Sequence, residues 1–130
     1  MHSAPYFTAF GLLAIMHSLR VTQLRKKHHV AFGDADIPEL ARRIRVFGNF
    51  IEYVPLGLIL LIALEFVQAP SWYVHLAGLT LLTGRYLHAL GFGAGKAKIQ
   101  VTGMVMTHFS LLVSSLGISA WSFFAIGSNQ

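Results

Sequence analysis

The sequence contains four long apolar segments separated by short stretches that hold most of its charge. They run from about Pro5 to Leu24, Pro38 to Gln68, Ser71 to Gly93 and Ile99 to Ile126. A helix needs about 20 mostly apolar residues to cross a bilayer. No segment alternates polar and apolar positions, and a helix satisfies its own backbone hydrogen bonds in lipid. We therefore predict an all-α membrane protein, a four-transmembrane-helix bundle in which residues 1–130 form a single domain.

The composition agrees with that class. Of the 130 residues, 55% are hydrophobic and 12% are charged, whereas soluble domains carry about 25% charged residues. The chain has no cysteine, which excludes disulfides, a cysteine nucleophile and thiolate metal sites. The lipid bilayer is the predicted partner, and no nucleic-acid partner is predicted.

Basic residues lie on one side of the predicted bundle. All ten Lys and Arg flank the first and third loops, and neither the second loop nor either terminus has any. They are Arg20, Arg25, Lys26, Lys27, Arg42, Arg43, Arg45, Arg85, Lys96 and Lys98. Since cytoplasmic loops of membrane proteins are enriched in Lys and Arg, both basic loops are predicted to be cytoplasmic and both termini outside.

A polar stripe descends along the second segment in the stretch RVFGNFIEYVP. If Arg45 is set to zero on a helical wheel, the other members of the stripe lie at about 40° (Asn49), about −20° (Glu52), about 60° (Arg42) and about 80° (Tyr53). Arg43 points the other way. An ionisable residue within a membrane segment is a functional-site hypothesis by default. Such a stripe suits a small zwitterionic or polyionic ligand; the alternative is an interfacial ladder in which Arg45 pairs with Glu52 or a lipid phosphate.

A second polar face is predicted on the third segment. Arg85, His88 and Phe92 have helical spacing and lie near the same basic end as the stripe. Polar faces at one depth on two helices can converge on one pocket. The alternative is that Arg85 extends to the interface and His88 makes an ordinary interhelical hydrogen bond.

Both segments resemble the MAPEG family, the membrane-associated proteins in eicosanoid and glutathione metabolism. The family pattern on the second helix has Arg, Asn, Glu and Pro at the spacing of Arg45, Asn49, Glu52 and Pro55, and the third helix carries Gly-Arg-x-x-His, here GRYLH from Gly84. The loop VAFGD and the segment GNFIEYVP are similar to small bacterial members. The resemblance covers nearly the whole chain and implies the bacterial inner membrane.

The resemblance also implies a homotrimer that binds glutathione between neighbouring subunits on the cytoplasmic side. Glutathione would be a co-substrate, and a lipophilic small molecule would arrive from the bilayer. The implied glutathione-binding residues are Arg45, Asn49, Glu52, Tyr53, His88, Arg25, Lys26 and Arg85. Arg45 would bind a carboxylate and Glu52 the ammonium group. The implied activity is that of a glutathione transferase, or of a peroxidase towards lipid hydroperoxides.

Three parts of the sequence depart from the family pattern. Phe92 replaces the tyrosine of the third helix, and Phe47 and Gly48 replace polar residues that some members place between the Arg and the Asn of the second helix. The third departure is at the start of the fourth helix. Active members place an arginine at the start of the fourth helix, where it stabilises the glutathione thiolate, and this chain has Val101 there. The catalytic residue is therefore unknown, with Lys96 and Lys98 as candidates. A MAPEG-fold protein that binds glutathione or a related anion without turnover is the alternative.

Other functions fit the sequence less well. Small multidrug transporters also have four short helices, but their glutamate belongs in the first helix, where this chain has no acid. His75 and His88 are separated by about 140° on a helix, which does not suit stacked haems. No metal or haem is expected. Four glycines are predicted to allow close helix contacts: Gly11, Gly78, Gly103 and Gly117.

Overall fold

The chain forms the predicted bundle of four helices. The computed structural model describes residues 1–127, so residues 128–130 of the predicted domain lie outside the described residues. The helices are α1 (Ala4–His28), α2 (Pro38–Phe66), α3 (Ser71–Gly93) and α4 (Ala97–Gly127). The described range contains no strand, and the predicted bounds of α3 are confirmed.

The other helices differ from the prediction at their ends. α1 continues four residues past Leu24, because basic side chains in a last turn interact favourably with the helix dipole. It ends at His29, whose φ of 55° is left-handed and whose N–H donates to the Lys26 carbonyl. α2 begins at Pro38 as predicted, since a proline fits the first helical turn. It ends before the predicted Gln68, which has a φ of 57°.

Close packing joins α3 to α4. The connection between them is only three residues long, which makes the helices antiparallel neighbours. A Cβ built on Gly84 would lie 2.9 Å from both the Gly103 carbonyl oxygen and the Thr107 nitrogen. The two backbones therefore approach as closely as the small-residue interfaces of membrane helices do.

The apolar core lies among α1, α2 and α3. Its most deeply buried members are Phe10, Phe50, Leu61, Leu64, Val74 and Leu81. Large apolar side chains on all four helices are also more than half exposed: Leu12, Ile15, Ile59, Leu79, Leu112 and Leu116. An apolar surface of that extent suits a lipid environment.

Two helices pass a simple test for membrane spans. Among the described residues, Pro38–Phe66 and Ala97–Phe124 are long and apolar enough to cross a bilayer by length and composition alone. The helices α1 and α3 carry more polar residues, but their lengths of about 37 and 35 Å exceed the roughly 30 Å hydrocarbon core. At the end away from the basic loops, Tyr73 lies between Trp72 and Trp121, with ring centroids 5.4 and 4.6 Å away; the Trp72 contact is edge-on and the Trp121 contact is tilted. Aromatic side chains of this kind are enriched at membrane–water interfaces.

A carboxylate at this same end holds the start of α1. Glu65 accepts hydrogen bonds from the backbone N–H groups of His2 and Ser3, the latter at 3.0 Å, and from the Ser3 hydroxyl at 2.7 Å. It therefore satisfies donors at a helix N-terminus that would otherwise lack partners. This contact fixes the first turn of α1 against the last turn of α2.

We expect Glu65→Leu to loosen the first turn of α1. The variant removes all three hydrogen bonds at a helix end, where a lost cap costs about 1–2 kcal/mol. Hydrogen–deuterium exchange of residues 2–10, followed by mass spectrometry, should accelerate at least several-fold. Exchange in α4 should stay unchanged, and equal acceleration in both regions would contradict a local role for Glu65.

Candidate functional site

A buried arginine forms the centre of the polar cluster. Arg85 is 2% exposed, and its Nη2 donates a hydrogen bond of 3.0 Å to Asn49 Oδ1. The same nitrogen lies 3.3 Å from His88 Nδ1. The guanidinium carbon lies 5.6 Å from the centroid of the Tyr53 ring. Asn49 and Tyr53 of α2 therefore meet Arg85 and His88 of α3, as the prediction of convergent polar faces requires, while a pocket bounded by both faces stays a prediction.

Helical spacing places these four side chains together. Asn49 and Tyr53 are one turn apart on α2, and Arg85 and His88 are three residues apart on α3. The helix α4 closes the cluster, where Met104 Sδ lies 3.9 Å from Arg85 Nη1. We refer to Asn49, Tyr53, Arg85 and His88 as the central cluster.

Two aromatic contacts extend the central cluster. The His88 ring lies 5.9 Å from the Phe92 ring, as the predicted common face on α3 requires. The Tyr53 ring makes an edge contact with His108 of α4, with centroids 5.4 Å apart. His108 was not among the predicted site residues, because its spacing along α4 carries no information about contacts with α2.

Arg45 and Glu52 of the α2 stripe form an exposed ion pair outside the central cluster. Arg45 Nη1 and Glu52 Oε1 are 3.8 Å apart, and the two side chains are 62% and 52% exposed. They lie beside Asn49 on the wheel but at the edge of the stripe, so α3 and α4 do not cover them. This pairing is the one expected if the stripe is an interfacial ladder rather than a ligand site.

Four other predicted site residues lie near the loops. Arg25 donates from Nη1 to the Ala31 carbonyl at 3.0 Å and so supports the loop that follows α1. Lys26, Lys96 and Lys98 are exposed. None of the four makes a hydrogen bond to the central cluster within the described residues.

A cavity of about 910 Å³ lies between α1, α2 and α3, on another side of the protomer. We call it the α1–α3 groove. Its polar lining residues are His17, Arg20, Gln23, Lys27, Glu39, Arg43 and Arg85. The wheel position of Arg43, opposite the stripe, was the one sequence signal for this groove. That signal was insufficient because Arg20 and Arg43 lie on separate helices whose packing the sequence does not reveal.

Metal-type ligands are dispersed over the described part of the chain. No group of three or more His, Asp or Glu side chains there could hold a metal ion. The polar groups that do converge are hydrogen-bond donors and a cation, which suit an organic anion better than a metal.

Comparison with known proteins identifies the fold family. The model of the MAPEG family matches residues 3–120. Two curated relatives, both named inner membrane protein YecN, come from Escherichia coli strain K12 and from strain O6:H1. Each is 37% identical over 116 residues, covering 89% of this chain and 88% of the relative. Their names state a location and no activity. A family match over most of the chain and these relatives show that this membrane protein belongs to the MAPEG family.

Proposed function

We propose that this chain is a glutathione-binding membrane enzyme that acts as a transferase or peroxidase on lipophilic electrophiles. The observation that carries the proposal is the exposed pair of Arg45 and Glu52. Glu52 lies seven residues, about 10 Å, along α2 from Arg45, the last basic residue of the helix, and no charged residue follows it until Glu65. More than half of its side chain is exposed at that depth, although a charge facing lipid there costs several kcal/mol.

We infer that a hydrophilic partner covers this pair in the membrane, in addition to the contact that the two side chains make with each other. Glutathione has two carboxylates, one ammonium group and a thiol, so Arg45 and Glu52 offer it charges of both signs. A guanidinium binds a carboxylate strongly because its donors form a fork. The MAPEG family includes glutathione transferases, and this membership supports the choice of ligand.

A homotrimer would complete such a site. A neighbouring protomer lying against the exposed face of α2 would exclude lipid from Arg45 and Glu52 and form the second wall of a pocket. The positive charge of the basic loops favours a cytoplasmic opening and an inner-membrane orientation with both termini outside. The net charge of +5 would also attract anionic glutathione.

The central cluster would orient the ligand rather than activate it. Asn49 holds the Arg85 guanidinium in place, and Tyr53 lies beside it with a hydroxyl that can donate or accept. In a transferase, the glutathione thiolate attacks an electrophilic carbon and forms a thioether. The displaced electron pair either departs with a leaving group or, when the electrophile is a polarised double bond or an epoxide, stays on the product, which then takes up a proton. In a peroxidase, two glutathione molecules reduce a hydroperoxide to an alcohol and water and leave as the disulfide. Both reactions need the thiolate, since the thiol is a poor nucleophile.

The second candidate function is glutathione binding without turnover. Val101 is an apolar, exposed residue near the start of α4, and it cannot stabilise a thiolate. Lys96 and Lys98 precede it on the loop and first turn, and both are exposed to solvent. Ultraviolet absorbance of the thiolate on adding glutathione to the purified protein would support the enzyme. Calorimetric binding without that absorbance would support the binder.

We expect Arg45→Ala and Glu52→Ala each to weaken glutathione binding about tenfold or more, because a hydrogen bond to a charged group contributes about 1.5–3 kcal/mol. Isothermal titration calorimetry of the detergent-solubilised protein measures this. Arg43→Ala is the matched control, since it removes an arginine from the same helix at a position turned about 160° away from Arg45. Unchanged affinity in both site variants would reduce the pair to a structural role.

A further inference from the structure

We propose that the α1–α3 groove binds the phosphate headgroup of an anionic membrane lipid. Apart from Arg85, which contributes to both, this site differs from the proposed glutathione site. On α2, the groove residues Arg43 and Phe50 are turned by about 140–160° from Arg45. The groove therefore opens on another face of the protomer and has its own ligand chemistry.

The groove has an excess of positive charge that the protein does not neutralise. Arg20, Lys27 and Arg43 line it together with one acid, Glu39. Glu39 and Arg43 are four residues apart on α2, yet the ion pair found in the described residues is between Arg45 and Glu52. The groove cations are thus available to an anion from outside the protomer.

A buried donor lines the same groove. Arg85 is 2% exposed and contributes to the lining, and its Nε has no hydrogen-bond partner among the described residues. A buried polar group without a partner costs about 1–3 kcal/mol and more when it is charged. A phosphate oxygen or a water held beneath the phosphate would satisfy this donor. Arg85 thus gives a reason for a ligand that is independent of the surface cations.

The arrangement of the lining matches an amphiphile. From the basic end of α1 inwards, the lining residues are Lys27, Leu24, Gln23, Arg20, His17, Met16 and Leu13, so the innermost part of this wall is apolar. Phe50 of α2 adds to that part, while Leu90 of α3 is an apolar residue near the basic end. A headgroup would contact the cations while an acyl chain follows the apolar part. Free phosphate or glutathione would leave that surface without a partner.

Position and chemistry favour a phospholipid. The cations lie at the basic end of the bundle, where basic pockets between membrane helices bind anionic headgroups. Guanidinium groups bind phosphate through paired hydrogen bonds, and Arg20 and Arg43 approach the groove from two different helices. The site therefore requires both helices to be in place, and a bound lipid would brace α1, which packs mainly on α2.

Native mass spectrometry of the purified full chain in a nonionic detergent tests this site. Phosphatidylglycerol, phosphatidylcholine with the same acyl chains, and inorganic phosphate are each added to the protein in separate titrations. We expect phosphatidylglycerol adducts at least tenfold tighter than phosphatidylcholine adducts, and none with inorganic phosphate alone. The variant Arg20→Gln with Arg43→Gln should lose this preference, whereas the control Arg42→Gln should retain it. Lys27→Gln, near the exposed end of α1, should weaken the preference without affecting the fold.

Three outcomes would overturn the proposal. Equal binding of both lipids would mean that the headgroup is not recognised. A second outcome is that glutathione displaces phosphatidylglycerol from the wild-type protein and from Arg45→Ala, but not from Arg43→Gln. The groove would then be the glutathione pocket. A change in the mass of the assembly in Arg43→Gln would make the groove a contact between protomers. The two proposals can fail separately. If the Arg45 and Glu52 variants bind glutathione as well as the wild-type protein does, the proposed function fails, and the lipid proposal is unaffected.

Discussion

Asn49→Leu is expected to destabilise the protein by about 2–3 kcal/mol, because it removes the acceptor that holds a buried guanidinium. Arg85 Nη2 donates to Asn49 Oδ1 at 3.0 Å. Its other polar neighbours are poorer acceptors, because His88 Nδ1 is farther away at 3.3 Å and Met104 offers a thioether sulfur at 3.9 Å. Leucine keeps the branched heavy-atom skeleton of asparagine but is larger, so overpacking also contributes to the loss.

A double-mutant cycle separates this bond from other effects. Arg85→Met alone leaves the Asn49 amide without its partner, while Arg85→Met combined with Asn49→Leu replaces both groups by apolar ones. Because matched apolar replacement of a buried polar pair is often nearly neutral, the double variant should be more stable than the sum of the single effects predicts. Unfolding in mixed micelles with increasing dodecyl sulfate, followed by the fluorescence of Trp72 and Trp121, measures the free energies. Additive effects would show that Asn49 and Arg85 are not coupled.

The helices were predictable because the bilayer imposes a strong constraint on sequence. A run of about 20 apolar residues has few alternatives to a membrane helix, and the bounds of α3 follow directly from its flanking polar residues. The ends of α1 and α2 were less predictable. Favourable charge in the last turn of α1 and a left-handed residue at Gln68 decide these ends, and neither depends on apolar content.

The central cluster was predictable in part. Helical spacing alone places Arg85 with His88 and Asn49 with Tyr53, and the shared depth of the two pairs indicates that they meet. Spacing cannot indicate which side of a stripe a neighbouring helix covers. Asn49 is therefore buried while Arg45, about 40° away on the wheel, is exposed. The groove was missed for the same reason, since it depends on how α1 leans against α2 and α3.

The glycines show the same limit of sequence reasoning. A Cβ added at Gly78 or Gly117 would collide with the rings of Tyr6 or Tyr73, and one added at Gly103 would collide with the α3 backbone. The prediction of close contact is confirmed for these three. It is wrong within the protomer for Gly11, where an added Cβ meets nothing within 4 Å. A glycine permits close contact because it has no side chain. Whether a contact forms depends on where the neighbouring helix lies, which the sequence does not reveal.

Gly103→Ala is therefore expected to be the most damaging small substitution in α4. The new Cβ would meet the backbone nitrogen of His88 and the carbonyl oxygen of Gly84, and backbone atoms cannot rotate aside as a side chain can. Overpacking of this kind costs about 1–3 kcal/mol. Because alanine is the better helix former by about 1 kcal/mol, a net loss requires a collision larger than that gain.

Gly11→Ala provides the matched control, because it makes the same chemical change on an apolar helix with open space around it. We expect Gly11→Ala to be neutral or stabilising by up to about 1 kcal/mol, and Gly103→Ala to lower the free energy of unfolding in the same micelles. The shift of α3 should also move His88 relative to α4, so the Gly103→Ala protein should bind glutathione less tightly than the Gly11→Ala protein. Equal stability of the two variants would contradict the close contact of the α3 and α4 backbones at Gly103.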